Sequence, residues 1–196
     1  MSKSRRALQA IVGALSEQLA RGWASLEAAR RIDSACPVQA QDCARTLAST
    51  VYEACVESAI LALARLVVTH KDSVNVTYLL NCVQQSPSAF PIPERDGMAR
   101  TVERHRLLLD EMQPLVDQVK DYRDRTIAHL DKRVVNHWYA VHAHPPIELD
   151  QVERAFARIG ALLNVYRAAL DLPALERGRL QEGGDPSLAR VLQEEV

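Results

Sequence analysis

The sequence lacks most of the motifs by which common functional sites are recognised. Its four cysteines include no CxxC pair, so the ligand spacing of a structural zinc site is missing. No glycine-rich stretch has the spacing of a phosphate-binding loop, and no Ser–His–Asp arrangement can be identified. The strict alternation of apolar and polar residues that would indicate β-strands is also missing. Most of the chain is therefore expected to have a structural role.

The sequence also lacks a large excess of one charge and a long apolar run. The 24 basic and 25 acidic side chains give a formal net charge of −1, so any contact with RNA needs a local basic patch. The most apolar run, residues 54–68, contains Glu57 and Arg65 and is shorter than the roughly 20 residues that span a bilayer. No signal-peptide pattern begins the chain, and Cys55 and Cys82 fall in apolar helical patterns, as expected of buried, reduced thiols. We therefore expect a cytoplasmic protein without a membrane segment.

What the sequence does contain is helical periodicity along almost its whole length, which predicts an all-α bundle. A first helix over about residues 4–31 has one apolar face. A second helix over about 38–69 is apolar on more than one side and is expected to be central. A short third helix follows, with Asp72 or Ser73 as its N-cap. Three prolines within residues 86–93 then exclude a continuous α-helix there.

Two longer helices are predicted in the second half of the chain. The fourth helix begins near Arg95 and ends near His129, and Pro114 inside it is expected to cause a kink or a short break. A loop follows, and Asp150 with Glu153 resembles a capping arrangement at the start of the last helix. The apolar stripe of that helix is formed by Val152, Phe156, Ile159, Leu162, Leu163, Tyr166 and Leu170.

The pattern predicts one domain, an up-and-down bundle of four to five main helices over residues 1–172. Residues 173–196 contain Gly183, Gly184 and Pro186 and more acidic than basic side chains. They are expected to form a flexible acidic tail with room for one short helix.

The residues best suited to chemistry lie in one segment, residues 121–133. Its sequence is Asp-Tyr-Arg-Asp-Arg-Thr-Ile-Ala-His-Leu-Asp-Lys-Arg. The guanidinium of Arg123 can hold a phosphate through its planar fork of donors, and the imidazole of His129 titrates near neutrality and can move a proton. Asp124 can orient the arginine or the histidine through a charge-assisted hydrogen bond. Arg125 lies four residues before His129, on the same helix face, where it can contact the substrate backbone.

The spacing within this segment leaves two arrangements open. On a straight helix, the six steps of ~100° from Arg123 to His129 leave the two side chains about 120° apart. Either the helix ends or bends near His129, or two copies of the chain meet and pool their residues. Without any catalysis, the same pattern describes a helix C-terminus with cations placed against the helix dipole. His129 would then continue the Tyr122 face into the core.

Residues 122–131 resemble the signature of HEPN domains (higher eukaryotes and prokaryotes nucleotide-binding domains). That signature is an arginine, then a polar residue, then a histidine, and the five residues between Arg123 and His129 fit it. The continuation Ala-His-Leu-Asp-Lys and the upstream stretch 63–80 look most like the abortive-infection AbiU-type branch of the family. The resemblance covers roughly residues 40–170.

The resemblance implies a metal-independent endoribonuclease that acts as a homodimer and needs no cofactor. By this analogy His129 is the general acid or base, Arg123 stabilises charge on the phosphate, and Asp124 is the orienting polar residue. The setting would be bacterial defence or a toxin–antitoxin pair, with an antitoxin or a nucleotidyltransferase as partner. In some HEPN toxins a partner nucleotidyltransferase modifies a tyrosine two residues after the histidine, where this chain has Asp131.

Three other interpretations remain open at the level of the sequence. The first is a non-catalytic bundle that binds a partner protein or a nucleotide. The second is a metal site built from His137, His142 and His144, although no carboxylate or cysteine accompanies them at useful spacing. The adjacent Trp138 and Tyr139 can stack on bases or dock on the bundle. The third is a basic N-terminal helix end that contacts nucleic acid through Lys3, Arg5 and Arg6, or that is simply solvated.

Overall fold

The computed structural model describes residues 3–35, 42–91, 95–124 and 147–176. Within these residues the chain is all-α, which confirms the predicted fold class. The helices in chain order are α1 (Lys3–Ala35), α2 (Asp42–Val67), α3 (Val76–Gln85), α4 (Arg95–Glu111), α5 (Gln113–Tyr122) and α6 (Leu149–Ala169). A 3₁₀ turn, Pro87–Ala89, lies between α3 and α4.

The centre of the bundle is the place where α1, α2 and α6 meet. The hydroxyl of Ser25 in α1 bonds that of Ser58 in α2, and Gly22 lies opposite Ala62, so these two helices run antiparallel. Helix α6 crosses the same point, because a Cβ placed on Gly22 would lie 2.4 Å from Cζ of Phe156. Three helices thus approach each other closely at a residue that has no side chain.

The predicted apolar faces of the first and last helices are confirmed. In α1 the fully buried residues recur at helical spacing, and Trp23 packs beside them at a ring-centroid distance of 5.6 Å from Phe156. They are Leu8, Val12, Leu15, Leu19 and Leu26. Every residue of the stripe predicted for α6 is buried. This agreement follows from the 3.6-residue period, which aligns all these side chains on one side of each helix.

Helix α2 is divided into two halves with different surroundings. From Ala59 to Val67 most side chains are buried in the core, as expected of a central helix. Between residues 46 and 58 none is buried, and Leu47 and Val51 are 62% and 42% exposed. Cys55 in this half and Cys82 in α3 are only partly buried. The prediction that both thiols are buried is therefore wrong.

The predicted break at Pro114 is confirmed. Helix α4 ends at Glu111 and α5 begins at Gln113, with Pro114 in the first turn of the new helix. Proline has no N–H to donate, and its ring would clash with the carbonyl of Asp110 four residues earlier. The N–H of Met112 is shared between the carbonyls of Leu108 and Leu109, which closes the turn at the junction.

Two predicted helix caps are wrong by a few residues. Helix α3 is capped by Asn75, whose Oδ1 accepts a hydrogen bond of 2.8 Å from the N–H of Tyr78, rather than by Asp72 or Ser73. Asn75 is the last residue with extended backbone, so only its side chain is placed to reach the first turn.

The N-terminal cap of α6 also lies at other residues than predicted. There Glu148 and Gln151 form the capping box, rather than Asp150 and Glu153. Asp150 and Glu153 instead pair with Arg30 at the end of α1. The capping positions are displaced because α6 begins at Leu149, one residue before the predicted cap.

The chain beyond α6 returns along that helix. The N–H of Leu175 donates to Oδ1 of Asn164 at 2.7 Å, and Nδ2 of Asn164 donates to the carbonyl of Leu175 at 3.3 Å. The guanidinium of Arg167 donates to the carbonyl of Pro173 at 2.5 Å and to the hydroxyl of Ser16 at 2.9 Å. Residues 173–175 are therefore held against α6, and the glycines expected in the tail lie outside the described residues.

Candidate functional site

Two of the four predicted site residues are described, and both lie at the C-terminal end of α5. Arg123 follows the last residue of the helix, and its N–H still donates to the carbonyls of Lys120 and Val119. Asp124 comes next. Arg125 and His129 lie outside the described residues, as does the predicted end of the helix near His129.

Arg123 and Asp124 form an ion pair. Nε and Nη2 of Arg123 both donate to Oδ1 of Asp124, at 2.8 and 2.5 Å. The two side chains are 28% and 44% exposed, so the pair is accessible to a ligand without being fully solvated. Of the two orienting roles open to Asp124 in the sequence, the contact seen is with the arginine. Among the described residues Arg123 has no other side-chain partner, which leaves both N–H groups of Nη1 available to an anion.

The backbone at this pair departs from a regular α-helix. Residues 123 and 124 belong to a π-type turn, in which each turn contains more residues than in an α-helix. The separation of about 120° between Arg123 and His129 assumed a straight α-helix. That angle therefore cannot be extended across residues 123–124. Turns of this type are frequent at functional sites.

The end of α5 faces acidic side chains of α2. Burial raises the pKa of the Tyr122 hydroxyl, and the nearby carboxylates of Glu57 and Glu53 raise it further. Because Tyr122 immediately precedes Arg123, this end of α5 lies next to the exposed half of α2. The surroundings contain negative charge beyond that of Asp124.

A groove that the sequence does not predict lies one helical turn from Arg123. It has a volume of about 370 Å³ and lies between the C-terminal end of α2, α3, and the two helices that meet at the Pro114 break. The α5 residues that line it are Gln113, Val116, Asp117 and Lys120. Steps of three and four residues align these side chains on one face of α5. The spacing of these residues along α5 could have predicted that they share one face of the helix. It could not have predicted the groove.

The alternative sites suggested by the sequence are tested only in part. His137, His142 and His144, with Trp138 and Tyr139, lie outside the described residues. In the residues that are described, no group of three or more His, Cys, Asp or Glu side chains is placed to hold a metal ion.

The basic N-terminus is partly engaged in structural contacts. Arg5 donates to the carbonyl of Ala89 at 3.0 Å and pairs with Asp171 at 2.6 Å. It therefore ties α1 to the 3₁₀ turn and to the end of α6. Lys3 and Arg6 are exposed.

One described helix segment, Thr46–Val67 in α2, is long and apolar enough to cross a membrane by length and composition. The same composition is found in core helices of soluble proteins, and 28% of an 18-residue window of this segment is buried within the bundle. It is weak support for a membrane span.

Comparison with known proteins identifies the family. The model of the family described as AbiU2, a HEPN family (HEPN_AbiU2), matches residues 6–172. No curated protein and no solved structure matches the chain. The match includes α1, which precedes the range of about 40–170 over which the sequence resembles HEPN domains, and it spans all the helices through α6. The match confirms the resemblance: this chain belongs to the AbiU2 family of HEPN domains.

Proposed function

We propose that this protein is a HEPN-type endoribonuclease that cleaves RNA without a metal, at a site formed by Arg123, Asp124 and His129. The observation that carries the proposal is the Arg123–Asp124 pair. A guanidinium held in one orientation at a partly exposed helix end, with Nη1 bound by none of the described residues, is suited to binding a phosphate. Family membership supports the same reaction, because active HEPN domains have an arginine and a histidine at this spacing.

The proposed reaction is attack of a ribose 2′-OH on the adjacent phosphate. The bond from O2′ to phosphorus forms as the bond from phosphorus to O5′ breaks, which leaves a 2′,3′-cyclic phosphate and a 5′-hydroxyl. His129 takes the proton from the 2′-OH or gives one to the leaving O5′, and water makes the other of these two proton transfers. Arg123 stabilises the charge that develops on the phosphate oxygens, and Arg125 contacts the substrate backbone. Asp124 holds the guanidinium in place.

We place this site in a homodimer. The exposed half of α2 carries an apolar pair, Leu47 and Val51, one helical turn apart. Glu53 and Glu57 of the same half lie near Tyr122 at the end of α5. Exposed apolar surface of this kind favours a protein contact. In this proposal a second copy packs on this half of α2 and contributes residues to the site at Arg123 and Asp124.

The biological setting belongs to the same proposal. A ribonuclease of this family would act in the cytoplasm, in bacterial defence or as a toxin, and an antitoxin or a nucleotidyltransferase partner would restrain it. Asp131 stands where some HEPN toxins carry the tyrosine that such a transferase modifies. Restraint through another residue or by direct binding is therefore the expected route.

One observation favours the alternative of a non-catalytic bundle that binds a protein or a nucleotide. The charge of Arg123 is already compensated by Asp124, with Glu53 and Glu57 near the preceding residue. A phosphate must compete with these carboxylates. If the alternative is correct, substitution of Arg123 or His129 leaves the activity of the protein intact.

The test is cleavage of a fluorescent RNA by the purified chain, with and without EDTA. Wild type is expected to cleave equally in both and to leave 2′,3′-cyclic phosphate ends, whereas Arg123→Ala and His129→Ala are expected to be inactive. Arg100→Ala and His70→Ala, at exposed positions, serve as matched controls and keep activity. Cleavage that survives both site substitutions would refute the assignment, and loss with EDTA together with dependence on His142 or His144 would indicate a metal enzyme.

A further inference from the structure

The groove beside α5 has an apolar floor. The side chains that form it come from the end of α2 and from α3, α4 and α5, and they are Val67, Val68, Leu80, Leu109 and Val116. The first three are almost completely buried, so the floor is part of the packed core and is formed in advance of any ligand. A preformed apolar surface of this kind accepts the flat face of a ligand.

The rim of the groove is polar and carries no net charge. Its hydroxyl and charged residues are Thr69, Thr77, Arg106, Asp110, Asp117 and Lys120, with two cations and two carboxylates. A site for a free phosphate would be expected to have an excess of positive charge. A balanced rim above an apolar floor fits a planar group that has hydrogen-bonding edges, as a nucleobase does.

Several rim groups are free to bind such a group. In the described parts of the chain the side chains of Asp110, Lys120 and Thr69 make no hydrogen bond or ion pair. Asp117 accepts one hydrogen bond of 2.8 Å from Gln113 and has further acceptor capacity. Arg106, by contrast, is held by Asn81 and Gln84 at 2.9 and 2.7 Å. Nε of Arg106 is buried without a hydrogen-bond partner among the described residues. The free groups are therefore the two carboxylates, the hydroxyl of Thr69, the lysine and this one N–H of Arg106.

The groove also lies at a useful distance from Arg123. Asp117 and Tyr122, the last residue of α5, are five steps apart, which corresponds to about 7.5 Å along the helix, and Arg123 follows directly. Lys120 lies between them, one turn before Arg123, where it can meet the backbone phosphate that joins a base in the groove to the cleaved phosphate.

We infer that this groove binds one base of the RNA strand, next to the cleaved bond, and selects a base with an exocyclic amino group. The carboxylates of Asp110 and Asp117 accept hydrogen bonds from an amino group, as acidic side chains do from cytosine. Uracil has no amino group, and its single N3–H can satisfy only one of the two carboxylates. This inference rests on the proposed ribonuclease activity for the position of the base, but the binding of amino-bearing nucleotides can be measured without cleavage.

The first experiment maps the cleavage sites of the full chain on an RNA library randomised around the cut. Wild type is expected to disfavour uracil at one flanking position by about fivefold or more. The double variant Asp110→Asn/Asp117→Asn should lose this preference while its products keep cyclic phosphate ends. Asp96→Asn, a charge change at the start of α4 and away from the groove, is the matched control. An unchanged preference in the double variant overturns the inference.

The second experiment separates failure of the groove from failure of the proposed reaction. Binding of cytidine, adenosine and uridine monophosphates is measured by calorimetry on wild type and on Val116→Phe, which fills the groove. Binding of the first two but not of uridine monophosphate, lost in Val116→Phe, supports the groove even if no RNA is cleaved. If a free nucleotide binds there but the double variant cleaves with the wild-type pattern, the groove is a separate nucleotide site and the inference is wrong.

Discussion

Arg123 donates two hydrogen bonds to a single carboxylate oxygen of its neighbour, Asp124. Adjacent residues on a helix do not face each other, so the long arginine side chain must fold back over the end of the helix to make this contact. The direction of the guanidinium is therefore set by Asp124. In the proposed reaction Asp124 acts through Arg123, as a positioning residue.

Replacement of Asp124 by asparagine is expected to slow RNA cleavage without weakening RNA binding. The amide keeps the shape of the side chain but replaces a charge-assisted hydrogen bond by a weaker neutral one. We expect the single-turnover rate at saturating RNA to fall about tenfold, a change of ~1.4 kcal/mol in the barrier. RNA affinity should stay equal or rise, because a negative charge near the phosphate is removed.

The control for this prediction is Asp96→Asn, which makes the same change of charge on α4. A rate equal to wild type in Asp124→Asn would show that the pair does not position the arginine. Weaker binding with an unchanged rate would contradict the positioning role as well.

Gly22→Ala is expected to destabilise the fold. Its new Cβ would lie 2.4 Å from Cζ of Phe156 and 3.0 Å from Cβ of Ala62, and the packed core leaves no room for either group to move freely. Overpacking of this kind costs about 1–3 kcal/mol in the free energy of unfolding, measured by urea denaturation.

Gly13→Ala in the same helix is the matched control. Apart from its chain neighbours and the backbone of its own helix, no described atom lies within 4 Å of the Cβ it would introduce. The helix propensity of alanine should therefore raise stability by about 0.5–1 kcal/mol. Equal effects of the two substitutions would contradict the close approach of α1, α2 and α6.

The fold follows from the sequence because its main signal is local. The stripe of α6 and the break at Pro114 depend on helical spacing and on one missing N–H, and both can be found without knowing what they contact. The caps at Asn75 and Glu148 could not be placed, because several neighbouring polar residues can cap and the choice depends on where the backbone leaves the helix.

Only the sequence positions of the site residues can be predicted from the sequence. The positions of Arg123 and Asp124 follow from the motif, but their mutual ion pair and the π-type turn that carries them do not. The groove requires Thr69, Leu80 and Lys120 to converge from three different elements. The spacing of residues within one segment of the sequence does not show which other segments pack against it.

The stability of the protein is expected to fall below neutral pH because of His105. This side chain is 6% exposed and its Nδ1 lies 2.9 Å from the hydroxyl of Tyr166. Burial lowers the pKa of His105 from its ordinary value of 6.5, and the charge of Arg104 lowers it further. The unfolded chain therefore binds a proton more readily than the folded chain as the pH falls through 6.5.

Urea unfolding at pH 7.5 and pH 5.5 measures this effect. Wild type should lose stability on acidification, with a contribution from His105 that is below ~1.4 kcal/mol per pH unit. His105→Gln, which can keep a hydrogen bond to Tyr166 but cannot titrate, should lose less. His70→Gln, at an exposed position, should behave as wild type. Identical pH dependence in wild type and His105→Gln would contradict the assignment.

Leu47→Glu is expected to break the proposed dimer and to abolish cleavage together with it. Leu47 is 62% exposed on the half of α2 beside the end of α5, and a charge there opposes burial against a second copy. Wild type should elute as two copies of the 21.8 kDa chain, and the variant as one, in light scattering coupled to size-exclusion chromatography. Leu107→Glu on α4, where the leucine is 64% exposed, should remain dimeric and active. A variant Leu47→Glu that stays dimeric, or one that is monomeric and still cleaves RNA, would refute a dimeric site on this face, because the proposal requires both copies for the reaction.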